Sequence, residues 1–144
     1  MTIVDANILL YAYNADAPEH GQSADWLERV LASTETVGLP VVVIWAFLRI
    51  STSARLWPDP LPAAAAFRII KELLALPGVI VLHPGPRHLE ILEELVTKYK
   101  AAGHLVTDAA LAALALENGA ALASTDRDFS RFEGLRWINP AQPA

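Results

Sequence analysis

A chain of 144 residues, 53% hydrophobic and 19% charged, has the size of one domain and enough apolar side chains for a packed core, which argues against disorder. Its formal charge of -5 disfavours a broad phosphate-binding face, although an acidic pocket that holds a divalent cation can still receive a nucleic acid. The absence of cysteine excludes disulfides, thiolate metal sites and cysteine nucleophiles, leaving oxygen ligands and histidines for any metal chemistry.

The first residues, 2–4, read as a short buried strand. Residues 8–11 predict a short helix that ends near Asn14, in the polar turn Asn14-Ala15-Asp16-Ala17-Pro18. Over 21–31, Ala24, Leu27, Val30 and Leu31 recur at helical spacing, with Asp25, Glu28 and Arg29 opposite. A second strand is expected over 36–39, and Pro40 fits the first turn of a helix reaching about Ser53. The apolar run within it, 39–48, is the longest in the chain and too short for the roughly 20 residues of a membrane span. With no basic segment ahead of an apolar one at the N-terminus, the expected location is cytoplasmic, with no membrane partner.

Residues 57–62 form a rigid proline-rich loop, followed by a helix over 63–76 that stops at Pro77-Gly78. A buried strand at 79–82 precedes a helix over 86–100. Asp108 opens the next helical pattern, which ends at Asn118-Gly119, a good left-handed cap. Strands at 120–123 and 135–138 complete the set. Strands alternating with helices predict an α/β fold: a central parallel sheet of about five strands with helices on both faces, three layers in all. Residues 1–139 form the one expected domain, and 140–144 a frayed tail.

Three aspartates stand just past or at the start of apolar runs. Asp5 follows Met1-Thr2-Ile3-Val4, Asp126 follows Ala120 to Thr125, and Asp108 precedes Ala109 to Leu116. If the runs before Asp5 and Asp126 are parallel strands, both carboxylates project from the carboxyl edge of one sheet, where open α/β folds build their sites. Carboxylates crowded there repel one another unless a hard cation joins them, and Mg²⁺ or Mn²⁺ is the natural choice. Each acid also has a local reading. Asp5 can start the first helix, Asp108 with Thr107 can cap the helix beside it, and Asp126 and Asp128 can cap or charge the turn over 127–132.

Other chemistries find less support. His20, His83, His88 and His104 fall in loops or near helix starts without the His-x-x-x-His spacing of a helical zinc site. No Gly-x-Ser-x-Gly elbow surrounds Ser33, Ser51, Ser53, Ser124 or Ser130, and no dinucleotide or P-loop glycine motif occurs. Arg127, Arg131 and Arg136 gather in one stretch but read more simply as solvated surface. Trp26, Trp45, Trp57 and Trp137 read as core or interface residues.

Four segments resemble the motifs of PIN domains, especially VapC-type toxins of bacterial toxin–antitoxin pairs. These are Ile3-Val4-Asp5-Ala6-Asn7-Ile8-Leu9-Leu10-Tyr11-Ala12, the stretch from Leu39-Pro40 to Phe47-Leu48-Arg49-Ile50-Ser51-Thr52, Leu105-Val106-Thr107-Asp108-Ala109, and Ser124-Thr125-Asp126-Arg127-Asp128-Phe129. The ending Leu135-Arg136-Trp137-Ile138-Asn139-Pro140 is similar too. The resemblance spans nearly the whole chain, in the right order. It implies a Mg²⁺- or Mn²⁺-dependent endoribonuclease acting on RNA, usually a homodimer, silenced by a cognate VapB-like antitoxin. Asp5, Asp108 and Asp126 match the family's acidic positions, with Asp128 a frequent addition, and Asn7 and Thr125 are expected to support them. One position departs: the second motif usually carries glutamate where this chain has Ala46, and a methyl group neither binds a cation nor orients water.

The expected mechanism is metal-assisted phosphodiester hydrolysis, with Asp5 and Asp108 as main ligands and Asp126 and Asp128 completing the pocket. The rival reading is a PIN-fold protein impaired in catalysis that keeps antitoxin or RNA binding, and it rests on Ala46. Phosphoryl transfer through Asp5, as in haloacid-dehalogenase-like enzymes, ranks third because those enzymes want an aspartate where this chain has Asn7.

Overall fold

The computed structural model describes residues 1–142. In chain order the elements are β1 (Thr2–Val4), α1 (Ala6–Ala12), α2 (His20–Ala32), β2 (Val37–Pro40), α3 (Val41–Ser51), α4 (Ala63–Leu74), β3 (Val79–Leu82), α5 (His88–Tyr99), α6 (His104–Glu117), β4 (Ala121–Ala123) and β5 (Arg136–Ile138). A 3₁₀ turn, Arg127–Arg131, lies between the last two strands. The strands form one parallel sheet in the order β3-β2-β1-β4-β5. In the middle of it, Ile3 pairs with Gly38 on one side and Leu122 on the other.

The three central strands are buried along their whole length. That explains their unbroken apolar runs, since a parallel sheet covered on both faces has no wet side to alternate with. At the margins β3 exposes Ile80 and Val81, and β5 exposes Arg136.

From β1 to β2 to β3 the chain moves one way across the sheet, then returns past β1 to β4. Right-handed crossovers therefore place α1 to α4 on one face and α5 with α6 on the other. The packing agrees: α1 rests on α2 and α3, α3 on α4, and α5 on α6. The expected three-layer α/β/α arrangement is thus the one observed. α6 buries Ala109, Ala112, Ala113 and Ala115 together with Leu111 and Leu114, and its small side chains let it lie between the sheet and α5. It ends as its sequence predicts, with Gly119 at φ 59° and the Ala120 N–H donating to the Ala115 carbonyl at 2.8 Å.

Several boundaries differ from those expected. Pro40 does not open a helix. It is the last residue of β2, paired with Leu82, and its extended backbone leads into α3. A residue without an N–H can still close a parallel strand through its carbonyl. α5 begins at His88 instead of Pro86. The larger correction concerns α6, which begins at His104, so Asp108 lies in its second turn and neither Asp108 nor Thr107 caps it. The break that starts α6 is Gly103, at φ 60° and with no side chain to cap. Of the expected tail, Ala141 and Gln142 instead close a turn on Asn139, donating to its Oδ1 at 3.0 Å and its carbonyl at 3.1 Å. Residues 143 and 144 lie outside the described residues. No helix among the described residues is long and apolar enough to cross a membrane.

Candidate active site

The connections after β1 and β4 leave the sheet in opposite directions, toward β2 and β5. Between neighbouring strands whose connections diverge, a crevice opens at the carboxyl ends. Asp5 and Asp126 stand at that opening, and their local capping roles are real. Asp5 caps α1, its Oδ1 accepting from the Ala6 N–H at 2.7 Å. Asp126 Oδ1 accepts from the Asp128 N–H at 2.9 Å and starts the 3₁₀ turn.

A buried hydroxyl joins the two strand ends. Ser124, wholly inaccessible just past β4, donates through Oγ to Asp5 Oδ2 at 2.8 Å. The same oxygen accepts from Asn7 Nδ2 and from the Asp126 N–H, each at 3.0 Å. Asn7 Nδ2 also reaches Asp5 Oδ2 at 3.3 Å, and Asn7 Oδ1 accepts from the Thr125 N–H at 3.2 Å. Behind this network Trp137 Nε1 donates to the Ser124 carbonyl at 2.9 Å. Burial pushes the Asp5 carboxyl above the usual carboxylate range. The Ser124 and Ala6 hydrogen bonds oppose that shift, and the Asp126 charge adds to it.

The third acid arrives from the helix. α6 runs antiparallel to the strand that follows it, so its first turns lie at the carboxyl edge. Asp108 is half-buried there, and its Oδ2 is fully covered without a hydrogen-bond partner among the described residues. Its carboxyl is pushed up to about 6, first by burial, then by the charges of Asp126, Asp5 and Asp128, with His104 opposing. The charges of three neighbouring acids thus bear on Asp108, and that of Asp126 also bears on Asp5. Asp128 is held by Arg131, whose Nη2 lies 3.0 Å from Oδ1 and whose Nε donates to the Asp128 carbonyl at 3.1 Å. Its other oxygen, Oδ2, lies 3.8 Å from His104 Nε2. His104, Asp108 and Asp128 each offer one donor atom, all within 4.8 Å of one another.

This crevice lies on a chain whose residues 2–135 match the family model described as PIN domain. The chain belongs to the PIN-domain family. Within it, the VapC-type resemblance of the motifs holds. The chain is 44% identical over 140 residues to Ribonuclease VapC37 of Mycobacterium tuberculosis, covering 97% of each protein, and 40% identical to Ribonuclease VapC31 of the same species, covering 97% of this chain and 99% of that one. The fold also matches the solved VapBC-1 structure from nontypeable Haemophilus influenzae, with a TM-score of 0.72, 18% identity and 98% of each chain covered. VapBC2 from Rickettsia felis, bound to a DNA fragment from its promoter, matches with a TM-score of 0.71 and 17% identity over 96% of this chain and 97% of that one.

Two residues of the crevice escape a reading of the sequence. Ser124 opens the fourth motif segment, but nothing local marks its hydroxyl as a bridge, since its partners Asn7 and Asp5 lie 117 and 119 positions away. His104 sits four residues before Asp108, a one-turn spacing, but the spacing counts only once the helix is known to begin at 104. Arg127, Arg131 and Arg136 are all exposed, as the solvated-surface reading expects. Arg131 holds Asp128 in the crevice, whereas Arg136, at the start of β5, donates to the Gly119 carbonyl at 2.6 Å. Ala46 is half-buried on α3 and packs against the core.

Proposed function

We propose that this chain is the toxin of a VapBC-type toxin–antitoxin pair and acts as an endoribonuclease that depends on Mg²⁺ or Mn²⁺. The observation that carries the reading is Asp108. Its Oδ2 is buried without a partner among the described residues, and burial, reinforced by the neighbouring acids, raises its carboxyl to about 6, in a chain closely related to proteins named ribonucleases. Asp5, Asp108 and Asp126, with Asp128, offer the oxygen donors a hard divalent ion takes, and the orphaned Asp108 oxygen fits that role. A bound ion there supplies a Lewis acid for the scissile phosphate and an ionised water at neutral pH.

The remaining work falls to the chain's own residues. Ser124 and Asn7 fix the direction of Asp5, the Asp128 N–H fixes Asp126, and Arg131 fixes Asp128. A carboxylate set held this rigidly needs little reorganisation as charge develops on the phosphate. The acidic crevice also suits a basic segment of a VapB-like antitoxin through Arg–carboxylate pairs. For a second copy of the chain, α3 offers Val42 and Trp45, one turn apart and 38% and 66% exposed. Phe47 is fully buried and Trp57 half-buried, so the dimer surface rests on Trp45. Light scattering should give twice the 15.6 kDa chain mass. The proposed location is cytoplasmic.

Purified chain free of antitoxin should cleave RNA with Mg²⁺ or Mn²⁺ and stop on chelation. Ala46 favours one other reading, a PIN-fold binder with impaired catalysis. Restoring the carboxylate with Ala46→Glu separates the two. A gain of about tenfold, or about 1.4 kcal/mol off the barrier, marks a ligand added to a working pocket. No cleavage by either the native chain or Ala46→Glu sinks the ribonuclease reading and leaves the binder.

A further inference from the structure

Among the described residues, His104 faces the acids and is left unused by the proposed chemistry. It is the first residue of α6, its side chain is 81% exposed, and it shares a helix face with Asp108 one turn later. Its Nε2 stands 3.8 Å from Asp128 Oδ2, too far for a hydrogen bond. Two donors each about 2.1 Å from one ion stand ~3 Å apart when adjacent and ~4 Å when opposite. The 4.8 Å bound on the His104, Asp108 and Asp128 donors is therefore slightly wider than a loaded site, and small side-chain rotations close it.

The state of the carboxylates points to the same side of the crevice. Asp5 already has both oxygens engaged, by Ala6 and by Ser124 with Asn7. Asp108 has a buried oxygen with no partner among the described residues. Asp128 is oriented by Arg131 through Oδ1, which leaves Oδ2 toward the histidine. The geometry points to a mixed nitrogen–oxygen centre in which His104 Nε2 joins carboxylate oxygens of Asp108 and Asp128 in holding a divalent transition-metal ion. This inference rests on the metal-dependent reading above and assigns that ion a ligand the acidic motifs do not contain. An imidazole nitrogen favours Mn²⁺ over Mg²⁺, whose strict octahedral shell prefers oxygen. It also supplies a donor to a pocket where position 46 provides none.

The experiment is Mn²⁺ binding to the full chain, followed by electron paramagnetic resonance without any RNA. The native protein should bind Mn²⁺ and show ¹⁴N coupling from one imidazole. His104→Gln changes an exposed side chain, so the variant should fold, which its melting curve verifies. It should lose the coupling and bind Mn²⁺ about tenfold more weakly, while Mg²⁺ affinity shifts by less than about twofold. Mn²⁺ bound without ¹⁴N coupling, or coupling that survives in His104→Gln, overturns the histidine ligand and leaves the metal-dependent reading standing. No Mn²⁺ binding by the native chain overturns both.

Discussion

The strand-end side of the crevice and its helix-start side hold aspartates in opposite conditions. Asp5 and Asp126 are tied to one buried hydroxyl and to backbone N–H groups at 2.7–3.0 Å. Among the described residues, Asp108 has a covered oxygen with nothing to accept from, and Asp128 is met by Arg131 on one oxygen only. The first side is satisfied within the fold. The second carries unbalanced charge, and a group left in that condition marks where a ligand enters. Satisfied and unsatisfied carboxylates are therefore divided between the two sides of a single crevice.

The division breaks most visibly at Asp108. Asp108→Asn removes a charge that nothing else replaces, and RNA cleavage should fall at least about a hundredfold, roughly 2.7 kcal/mol of barrier. The same change should leave the metal-free fold as stable or more so, because it relieves repulsion from Asp126, Asp5 and Asp128. A variant that cleaves normally would remove Asp108 from the chemistry.

On the satisfied side the effect should fall on the fold. Ser124→Ala strands the Asp126 N–H and leaves Asp5 Oδ2 and Asn7 Nδ2 only their 3.3 Å contact with each other, in a site with no water access at the hydroxyl. Leaving buried polar groups unpaired costs about 1–3 kcal/mol, which urea denaturation should register as a lower midpoint at unchanged slope. An unaltered midpoint would mean that the hydroxyl network does not organise the strand ends.

The smallest effect is on pH dependence. Asp108 is raised from 3.8 to about 6 and Asp5 is raised as well. The folded state thus holds protons that the unfolded chain releases. The associated stability is fully present below pH 3.8 and is lost as pH rises through about 6. Solvent contact at Asp108 screens the effect to about 1 kcal/mol. Metal-free native protein should therefore lose stability relative to Asp108→Asn between pH 4 and 6.5, and Mn²⁺ at pH 7 should restore it by mass action. Parallel curves for the two proteins across that window would show that Asp108 does not carry the strain.

Much of this was legible because it is local. Apolar runs of strand length, an Asn-Gly stop after α6 and an acid just beyond each of two runs each declare themselves within a few residues. The start of α6 was not legible, since Gly103 caps nothing and acts only through its positive φ. A helix begun at Asp108 excludes His104 and with it the one-turn spacing that gives the histidine its meaning.

The sequence by itself determined the α/β alternation, the family motifs and the identity of the acids, because periodicity and residue type are properties of short windows. Only the tertiary structure decided which acids are satisfied and which are exposed to one another's charge. That outcome depends on a strand order that sets β1 beside β4, on a serine whose partners lie more than a hundred residues away, and on how far burial at one sheet edge can raise a carboxylate.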